Sequence, residues 1–291
     1  MIDWLQGAVD VHVHASPSIF PRLLDDDQLV AQAQAAGMRG LLLKSHEGST
    51  VERAQMAQKR VSRLAVRGGV VLNHFVGGFN PYAVEMALAL GGVMVWMPTL
   101  HCANHIRHFG MAGFKGQTPL VRTKAVPPLT VLDEKGRLLD SVRQVLEVMA
   151  GRSAALSCGH LAMPEIAALF AEAKRLKIER RVLTHADASQ MHSTLDFQLE
   201  MAKQGHFIER SFLSSIHPGD PFPVARTAAE IKQIGPERVV LETDLGQASN
   251  MAPTAGLASY CQQLFEAGLS EADVRRVVGD NSAYLLSLPA Q

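Results

Sequence analysis

Short apolar runs alternate with longer amphipathic segments along the whole chain. Eight runs are rich in valine, leucine and isoleucine, as buried strands are, and they cover residues 8–14, 40–46, 70–75, 93–99, 155–161, 181–187, 206–212 and 239–245. The segments between them repeat apolar residues every three or four positions, which predicts helices. We expect helices over residues 26–36, 51–64, 82–90, 139–149, 164–177, 195–203, 224–234, 256–267 and 271–286. Alternating strands and helices are typical of a parallel sheet.

The spacing of the predicted strands indicates how many units the fold has. Most strand ends follow one another after 24 to 33 residues, but the fourth and fifth, at residues 99 and 161, are 62 apart. The excess predicts an insertion or lid at residues 100–137, with a hairpin turn at Glu134-Lys135-Gly136. The alternatives for this segment are an oligomer contact and a partly disordered excursion. Eight strand–helix units predict an α/β protein with one domain, residues 1–291, folded as a TIM-type (β/α)8 barrel.

Composition excludes several classes of protein. Lysine plus arginine equals aspartate plus glutamate at 28 each, so no excess positive charge favours nucleic acid. Cys102, Cys158 and Cys261 are widely spaced, which predicts neither a disulfide framework nor a zinc knuckle and favours a reducing compartment. The first residues lack the basic start of a signal peptide, and no apolar run has the length of a membrane span. We expect a cytoplasmic protein that binds a small molecule, not nucleic acid or membrane, and a homo-oligomer is compatible with the sequence.

Polar residues end seven of the eight predicted strands, where a barrel of this kind has its active site. The fourth strand ends in Met97-Pro98-Thr99, and His101, His105 and His108 follow it. Alternate residues of a strand face the same side, so His12 and His14 should both point to the barrel axis. Converging imidazoles need a partner, which a divalent cation supplies. The strand-end residues are Asp10, His12 and His14; Lys44, Ser45 and His46; Asn73 and His74; Cys158 and His160; Thr184, His185 and Asp187; Glu209 and Arg210; and Glu242, Thr243 and Asp244.

These residues resemble the amidohydrolase superfamily of metal-dependent barrel hydrolases. The resemblance lies in Asp10-x-His12-x-His14 on strand one, single histidines ending strands five and six, and an aspartate ending strand eight. The strand-eight ETD and the run GDNSAYLL are similar to the TatD-like and amidohydrolase-related branches. The runs AAGMRGLLLKSH, VVLNHFVGGFNP and VWMPT resemble an uncharacterised family of hydrolases within the superfamily.

The resemblance implies a set of metal ligands, together with a catalytic role for Asp244, which would also take a proton from the attacking water. The fourth strand has no residue that matches the superfamily's bridging lysine or glutamate, which favours one cation over two unless Lys44 or Glu47 substitutes. Zinc is expected first, with manganese, iron and nickel as alternatives for these donors. The implied ligands are His12, His14, His160, His185 and Asp244.

Other polar strand-end residues are candidates for contacts to substrate. Donors and cations there can stabilise developing negative charge. Arg210 has an alternative role, an ion pair with Glu209 or Asp187, and Asp10 is expected to orient an imidazole. Cys158 is expected to fill the core. Besides Asp244, the candidate catalytic residues are Lys44, His46 and His74, and the candidate substrate-binding residues are Arg210, His217, His101 and His105.

The leading hypothesis is a metal-dependent hydrolase of a small, anionic amide, lactone or ester. A metal-dependent decarboxylase, hydratase or isomerase is the first alternative, because one fold hosts many reactions. A phosphoesterase of the polymerase-and-histidinol-phosphatase type also begins with DxHxH and has a histidine near the end of strand two, but the eighth strand with its ETD argues against it. A barrel that only binds or scaffolds is the least favoured hypothesis, since Asp244 and so many imidazoles are present.

Overall fold

The computed structural model describes residues 2–114 and 126–289 and contains the predicted (β/α)8 barrel. All neighbouring strands are parallel and follow one another in chain order around the sheet. The strands are β1 Val9–Val13, β2 Gly40–Leu43, β3 Ala65–Val71, β4 Met94–Trp96, β5 Ala155–Ser157, β6 Arg181–Leu183, β7 Phe207–Ser211 and β8 Val239–Glu242.

Backbone hydrogen bonds bring the first strand to the last. The amide of Asp244 donates to the carbonyl of His12 at 3.0 Å, and the amide of His14 donates to the carbonyl of Leu245 at 2.8 Å. These bonds lie at the carboxyl ends of β1 and β8. They therefore place the His12-x-His14 pair beside Asp244, although 230 residues separate His14 from Asp244 in sequence.

Strand β3 begins five residues earlier than the sequence pattern predicts, at Ala65. A side chain at Gly68 would come within 2.5 Å of the carbonyl oxygen of Thr50, and one at Gly69 within 2.2 Å of the carbonyl oxygen of Met94. The two glycines therefore allow strand β4 and the helix Val51–Gln58 to approach β3 closely. The sequence pattern treats glycine as a strand breaker, which is why the prediction started too late.

Helices surround the barrel, and most agree with the sequence prediction. Two short helices, α4 and α8, were not predicted, and the segment predicted as one helix over residues 271–286 is interrupted by π-helical turns at Arg276–Asp280. The helices are α1 Asp26–Ala35, α2 Val51–Gln58, α3 Pro81–Ala89, α4 Ala103–Phe109, α5 Asp140–Met149, α6 Met163–Arg175, α7 Leu195–Lys203, α8 Phe212–Ile216, α9 Val224–Ile234, α10 Pro253–Glu266, α11 Glu271–Arg275 and α12 Asn281–Leu285.

The connection from β4 to β5 is the longest in the barrel. It contains helix α4 and a short hairpin in which Leu132 and Leu138 form an antiparallel bridge around Gly136. Gly136 has a φ of 74°, which glycine adopts without the steric cost that other residues bear. The predicted insertion over residues 100–137 lies partly outside the described residues, since positions 115–125 are not among them.

Apolar side chains fill the amino-terminal half of the barrel interior, which leaves the carboxyl half for polar groups. This cluster includes Val11 of β1, Trp96 of β4 and Val240 of β8, and Leu285 and Leu286 at the end of the chain close it from below. Polar residues at the carboxyl ends lie above this apolar floor. No helix in the described ranges combines the length and apolar character needed to cross a lipid bilayer.

Candidate active site

Three donors from the two ends of the barrel sheet form the centre of the site. The Oδ1 atom of Asp244 lies 2.9 Å from His14 Nε2 and 3.1 Å from His12 Nε2. One ligand atom from each of the three residues lies within 4.8 Å of the other two. Burial opposes ionisation of Asp244, but the charges and hydrogen bonds of His12 and His14 hold its pKa well below the usual range. The carboxylate is therefore ionised at neutral pH.

Glu209 of β7 orients the His12 ring. Its Oε1 atom is 3.1 Å from His12 Nδ1 and also accepts a hydrogen bond from the backbone amide of His185 at 3.1 Å. A carboxylate acceptor at Nδ1 holds the ring in place and, when Nε2 binds a cation, favours the tautomer whose proton is on Nδ1. Glu209 thus keeps His12 Nε2 facing Asp244 and His14.

Asp10 was expected to orient an imidazole, but its hydrogen bonds within the described part of the chain go to a hydroxyl and to backbone amides instead. The register between β1 and β2 shifts between Asp10 and Val13, so Asp10 and His12 do not follow simple alternation. Asp10 accepts a hydrogen bond from the Thr243 hydroxyl at 2.6 Å and two from the backbone amides of His12 and Thr243. Burial raises its pKa to about 6. Its carboxylate therefore joins β1 to the chain after β8.

The charge balance at this centre fits a divalent cation. Glu209, Glu242 and Asp244 converge on His12, and both oxygens of Glu242 and one of Glu209 are buried without a hydrogen-bond partner in the described part of the chain. Burial, with the negative charges of Glu209 and Asp244, raises the pKa of Glu242 well above the usual range. Imidazole nitrogens and carboxylate oxygens are ordinary ligands of zinc and related metals.

Lys44 is the cation that already touches this centre. Its Nζ atom lies 2.7 Å from His12 Nε2, and the side chain is buried. Burial lowers its pKa, although Asp244, Glu209 and Glu242 act in the opposite direction. The Lys44 ammonium group thus lies among the atoms that would bind a cation, and the side chain also lines the cavity above them.

Thr99, at the end of the strand that lacks a ligand, supports His46. Its Oγ1 atom lies 3.0 Å from His46 Nδ1 and accepts a hydrogen bond from Asn73 Nδ2 at 2.8 Å. The Oδ1 atom of Asn73 accepts from the Thr99 and His101 amides, which fixes the orientation of the amide group. The Thr99 hydroxyl proton is then available to donate to His46 Nδ1. In that arrangement the proton of the His46 ring is on Nε2, where it can donate into the cavity.

Three imidazoles form a hydrogen-bonded chain on the opposite side of the site. His105 Nε2 lies 3.2 Å from the Gly113 carbonyl, His105 Nδ1 lies 2.7 Å from His160 Nδ1, and His160 Nε2 lies 3.2 Å from His185 Nε2. Burial lowers the pKa of His105 and of His185 to about 4 and lowers that of His160 as well, so the rings are neutral at pH 7. The Gly113 carbonyl can only accept, so the proton of His105 is on Nε2. His160 then donates from Nδ1 to His105, and His185 donates from Nε2 to His160. The free lone pair of His185 is therefore on Nδ1.

Backbone strain accompanies two of these residues. His185 has a φ of 25° and Asp244 a φ of 52°, in the left-handed region that residues other than glycine rarely adopt. Nearby, a side chain at Gly246 would meet the carbonyl oxygen of His14 at 2.0 Å. Strain of this kind is often found at functional sites.

A cavity of about 250 Å³ opens above the centre and is large enough for a small molecule. One wall is aromatic: Phe114 contacts Phe20 and Phe109 with ring centroids 6.0 and 5.6 Å apart. The remaining lining is mostly polar. The residues around the cavity include His14, Phe20, Arg22, Lys44, His46, Phe109, Phe114, His160, His185, Asp187, Ser189, Gln190, Leu213, Ser214, His217, Asp220, Asp244, Gln247, Ser249 and Asn250.

The structure brings most of the sequence-predicted site residues together. His12 lies beneath the cavity, and His105 contacts His160 from behind the wall. Those that line the cavity are His14, Lys44, His46, His160, His185, His217 and Asp244.

Three predicted site residues lie elsewhere among the residues that the structure describes. Arg210 forms a buried ion pair with Glu230 Oε2 at 2.8 Å, because it points outward from β7 while its neighbour Glu209 points inward. His74 contacts the Pro127 carbonyl at 2.7 Å, and His101 accepts from the His74 amide. None of the three lines the cavity described above.

Two residues of the site were missed by the sequence analysis. Glu209 was considered only as a partner of Arg210, although strand alternation would have assigned the two side chains to opposite faces once the strand limits were known. Arg22 lies in the irregular segment after β1, where no periodicity marks it. Glu47, considered as a bridging ligand, instead accepts hydrogen bonds from Ser18 and Ile19 of that segment at 2.7 and 2.8 Å.

The barrel and its donor set define a class: the chain has the fold of amidohydrolase-type proteins. An amidohydrolase from Pseudomonas aeruginosa superposes with a TM-score of 0.61 at 12% identity, over 98% of this chain and 96% of the other. A Pseudomonas putida protein assigned provisionally as a 2-pyrone-4,6-dicarboxylic acid hydrolase gives a TM-score of 0.63 at 16% identity, over 98% and 99%. For a 2,6-dihydroxybenzoate decarboxylase from Rhizobium the values are 0.57 and 14%, over 97% and 99%.

Family membership follows from the sequence itself. The chain belongs to DUF6282, a family of unknown function, whose model matches residues 7–209. No curated protein matches the chain. The structural likeness confirms the sequence-based expectation of an amidohydrolase barrel at the level of the fold.

Proposed function

We propose that this protein is a metal-dependent hydrolase that acts on a small, anionic amide, lactone or ester. The observation that carries the proposal is the group of His12, His14 and Asp244, whose ligand atoms lie within 4.8 Å of one another beneath a cavity of about 250 Å³. An amidohydrolase-type fold supports the same class of reaction.

The donor set indicates which residues would hold the cation. His12 Nε2, His14 Nε2 and Asp244 Oδ1 are the nearest donors, and the His160–His185 pair supplies the remaining one. We expect one divalent ion, with zinc ahead of manganese, iron and nickel, because the fourth strand contributes no bridging carboxylate. A cation bound there would acidify water and polarise a carbonyl group.

The chain's own residues would then move the proton and stabilise charge. Asp244, ionised because His12 and His14 lower its pKa, accepts a proton from the attacking water and returns it to the leaving group. His46 Nε2–H and the Lys44 ammonium donate to the oxygen that becomes negative. Both side chains line the same cavity as Asp244, so a substrate of a few carbon atoms can contact all three.

Decarboxylation of a small aromatic acid is the second candidate, ahead of hydration or isomerisation. One structural neighbour is a 2,6-dihydroxybenzoate decarboxylase, and the aromatic wall of Phe20, Phe109 and Phe114 could pack on a ring. The same donors and the same cation would serve this reaction. The two candidates therefore differ in products, not in the residues required.

The test combines metal analysis with two panels of substrates. Protein produced with zinc and manganese should contain close to one ion per chain, and less than about 0.3 would argue against both reactions. The zinc and manganese forms are then assayed for hydrolysis of lactones, cyclic imides and aryl esters, and for carbon dioxide release from hydroxybenzoates. Hydrolysis lost in Asp244→Asn supports the hydrolase, whereas carbon dioxide release alone supports the decarboxylase.

We also propose a cytoplasmic location. The cysteines Cys102, Cys158 and Cys261 are all buried free thiols, and burial raises the pKa of each to about 12. Such thiols contribute to packing rather than to disulfide bonds, which suits a reducing compartment.

A further inference from the structure

Arg22 presents a cation to the cavity from a segment that is held firmly. It lies between β1 and α1, lines the cavity and is mostly buried. Its Nε atom donates to Ser18 Oγ at 3.3 Å, and Ser18 in turn donates to Glu47. The backbone of this segment also meets the chain after β8, where the amide of Leu23 donates to the Gly246 carbonyl at 2.9 Å. The guanidinium group is therefore pre-positioned.

This guanidinium forms no ion pair with any carboxylate of residues 2–114 or 126–289. The charges of Glu47 and Asp244 stabilise the guanidinium from a distance, but neither makes an ion pair with it, and both Glu47 oxygens already accept hydrogen bonds, from Ser18, Ile19 and Ser45. Arg22 Nη2 lies 3.4 Å from His14 Nδ1, a long contact. A mostly buried cation without an anionic partner is costly unless something that binds in the cavity supplies the anion.

The His14 ring sets the distance between Arg22 and the reacting centre. Its Nδ1 atom faces Arg22 and its Nε2 atom faces Asp244 at 2.9 Å. The width of one imidazole ring therefore separates the guanidinium from the carboxylate that would move the proton. An anion on Arg22 would lie about one ring away from the bond that reacts.

The aromatic wall indicates what connects the anion to the reacting bond. Phe20 is close to Arg22, whose guanidinium carbon lies 5.5 Å from the ring centroid, and Phe114 contacts Phe20 edge to face. A flat ring can pack against these side chains while its carboxylate remains on the guanidinium.

We propose that Arg22 is the carboxylate-binding residue of the site and that the substrate is a compact cyclic acid, in which the carboxylate lies within about one ring of the reacting bond. This inference rests on the proposed function for the identity of the reacting bond, but the anion subsite itself is independent of it. Arg22 sets the specificity for an anionic substrate, which is the role that was expected of Arg210 from the sequence.

Benzoate and benzamide test the subsite, because they share a shape and differ in charge. Dissociation constants for both are measured by NMR titration in the wild type and in Arg22→Gln, Arg22→Lys and Arg60→Gln. Arg60 is exposed and pairs with Asp27, so its replacement is a matched control. Every titration is made on metal-free and on zinc-loaded protein, since a carboxylate can also bind zinc directly.

We expect wild-type protein to bind benzoate at least tenfold more tightly than benzamide, with or without zinc. Arg22→Gln should weaken benzoate binding by about 10- to 100-fold and leave benzamide unchanged, as the loss of a charged hydrogen bond predicts. The affinity of Arg22→Lys for benzoate should lie between those of the wild type and of Arg22→Gln, since lysine keeps the charge but not the paired donors. Arg60→Gln should match the wild type.

Three outcomes would overturn the inference. These are equal affinity of the wild type for benzoate and benzamide, a benzoate affinity unchanged by Arg22→Gln, and a preference for benzoate that exists only with zinc. The first needs no variant, so it decides the matter even if Arg22→Gln fails to fold. Absence of zinc binding or of hydrolysis would contradict the proposed function, while the metal-free titrations would still report on Arg22.

Discussion

Two groups of histidines lie next to each other in the site, and they differ in what surrounds them. His12 and His14 contact carboxylates, with Asp244 Oδ1 3.1 and 2.9 Å away respectively and Glu209 behind His12. On the other side, His160 contacts imidazoles at both of its nitrogens, those of His105 and His185. The residue type is the same, but only the first group gathers negative charge.

This difference indicates that the partner of an imidazole decides what it can bind. A carboxylate on one nitrogen fixes the proton there and makes the other nitrogen a better ligand. An imidazole between two imidazoles has no free lone pair, since each nitrogen is engaged. We therefore expect the carboxylate side to dominate cation binding and the imidazole side to respond mainly to pH.

The largest effect should come from Asp244→Asn. We expect turnover to fall about 1,000-fold, because the amide cannot accept the proton of the attacking water, while part of the bound metal remains. Steady-state kinetics and elemental analysis measure the two effects. Asp187→Asn is the matched control: its carboxylate accepts from the Ser211 amide at 3.2 Å, and its metal content should be unchanged. An Asp244→Asn enzyme of full activity would contradict the proton-transfer role.

The second prediction compares one histidine from each group. His12→Gln should weaken zinc binding by more than about 100-fold, and His160→Gln by only about 10-fold, in the range found for residues that support a ligand. Competition with a fluorescent chelator measures both affinities. Equal losses would mean that His160 binds the cation as directly as His12 does, and the contrast between the two groups would not hold.

The imidazole side should make the fold sensitive to acid. The pKa of His105 is about 4 in the folded state against a usual 6.5, so the unfolded chain takes up a proton first as pH falls. Stability is therefore complete above pH 6.5 and declines towards pH 4, and the loss at pH 5 is about 2 kcal/mol. Urea unfolding of metal-free protein at pH 7 and 5 measures it. Between these pH values the free energy of unfolding of His105→Gln should decrease less than that of the wild type. An identical decrease would contradict the prediction.

The smallest effect concerns the support of the carboxylate side. Glu209→Gln keeps the shape of the side chain but removes the charge that holds the His12 proton on Nδ1, so zinc affinity should fall about 10-fold with little change in stability. Chelator competition measures the zinc affinity, and thermal unfolding measures the stability. Glu237→Gln, in an exposed turn, is the control. Unchanged zinc affinity would show that Glu209 does not act through His12.

Much of the fold could be predicted from the sequence. Each strand carries a strong local pattern, so all eight were placed, and only β3 began more than one residue from its predicted start, because Gly68 and Gly69 interrupt that pattern. Helices α4 and α8 were missed since they are short, and short helices carry little periodicity. The order of the strands followed from a barrel that brings the strands together in sequence.

The site was less predictable, for reasons of geometry. The resemblance to the amidohydrolase superfamily implied that His12, His14 and Asp244 share a cation, and their ligand atoms do lie within 4.8 Å of one another. The side on which Arg210 points depends on alternation counted from an unknown strand limit. Arg22 and its cavity position depend on an irregular segment, whose path is set by contacts such as Ser18 with Glu47 rather than by a local pattern.

Because His185 and Asp244 have left-handed backbone conformations, the side chains that the proposed chemistry needs at these positions lower the stability of the fold. Such a conformation costs of the order of 1–3 kcal/mol for most residues other than glycine, and aspartate and histidine bear the smaller part of that range. A laboratory selection for heat resistance alone should therefore accept glycine at these two positions early. The selected variants would be more stable barrels that lack residues of the centre, so engineering for stability has to select for the proposed activity at the same time.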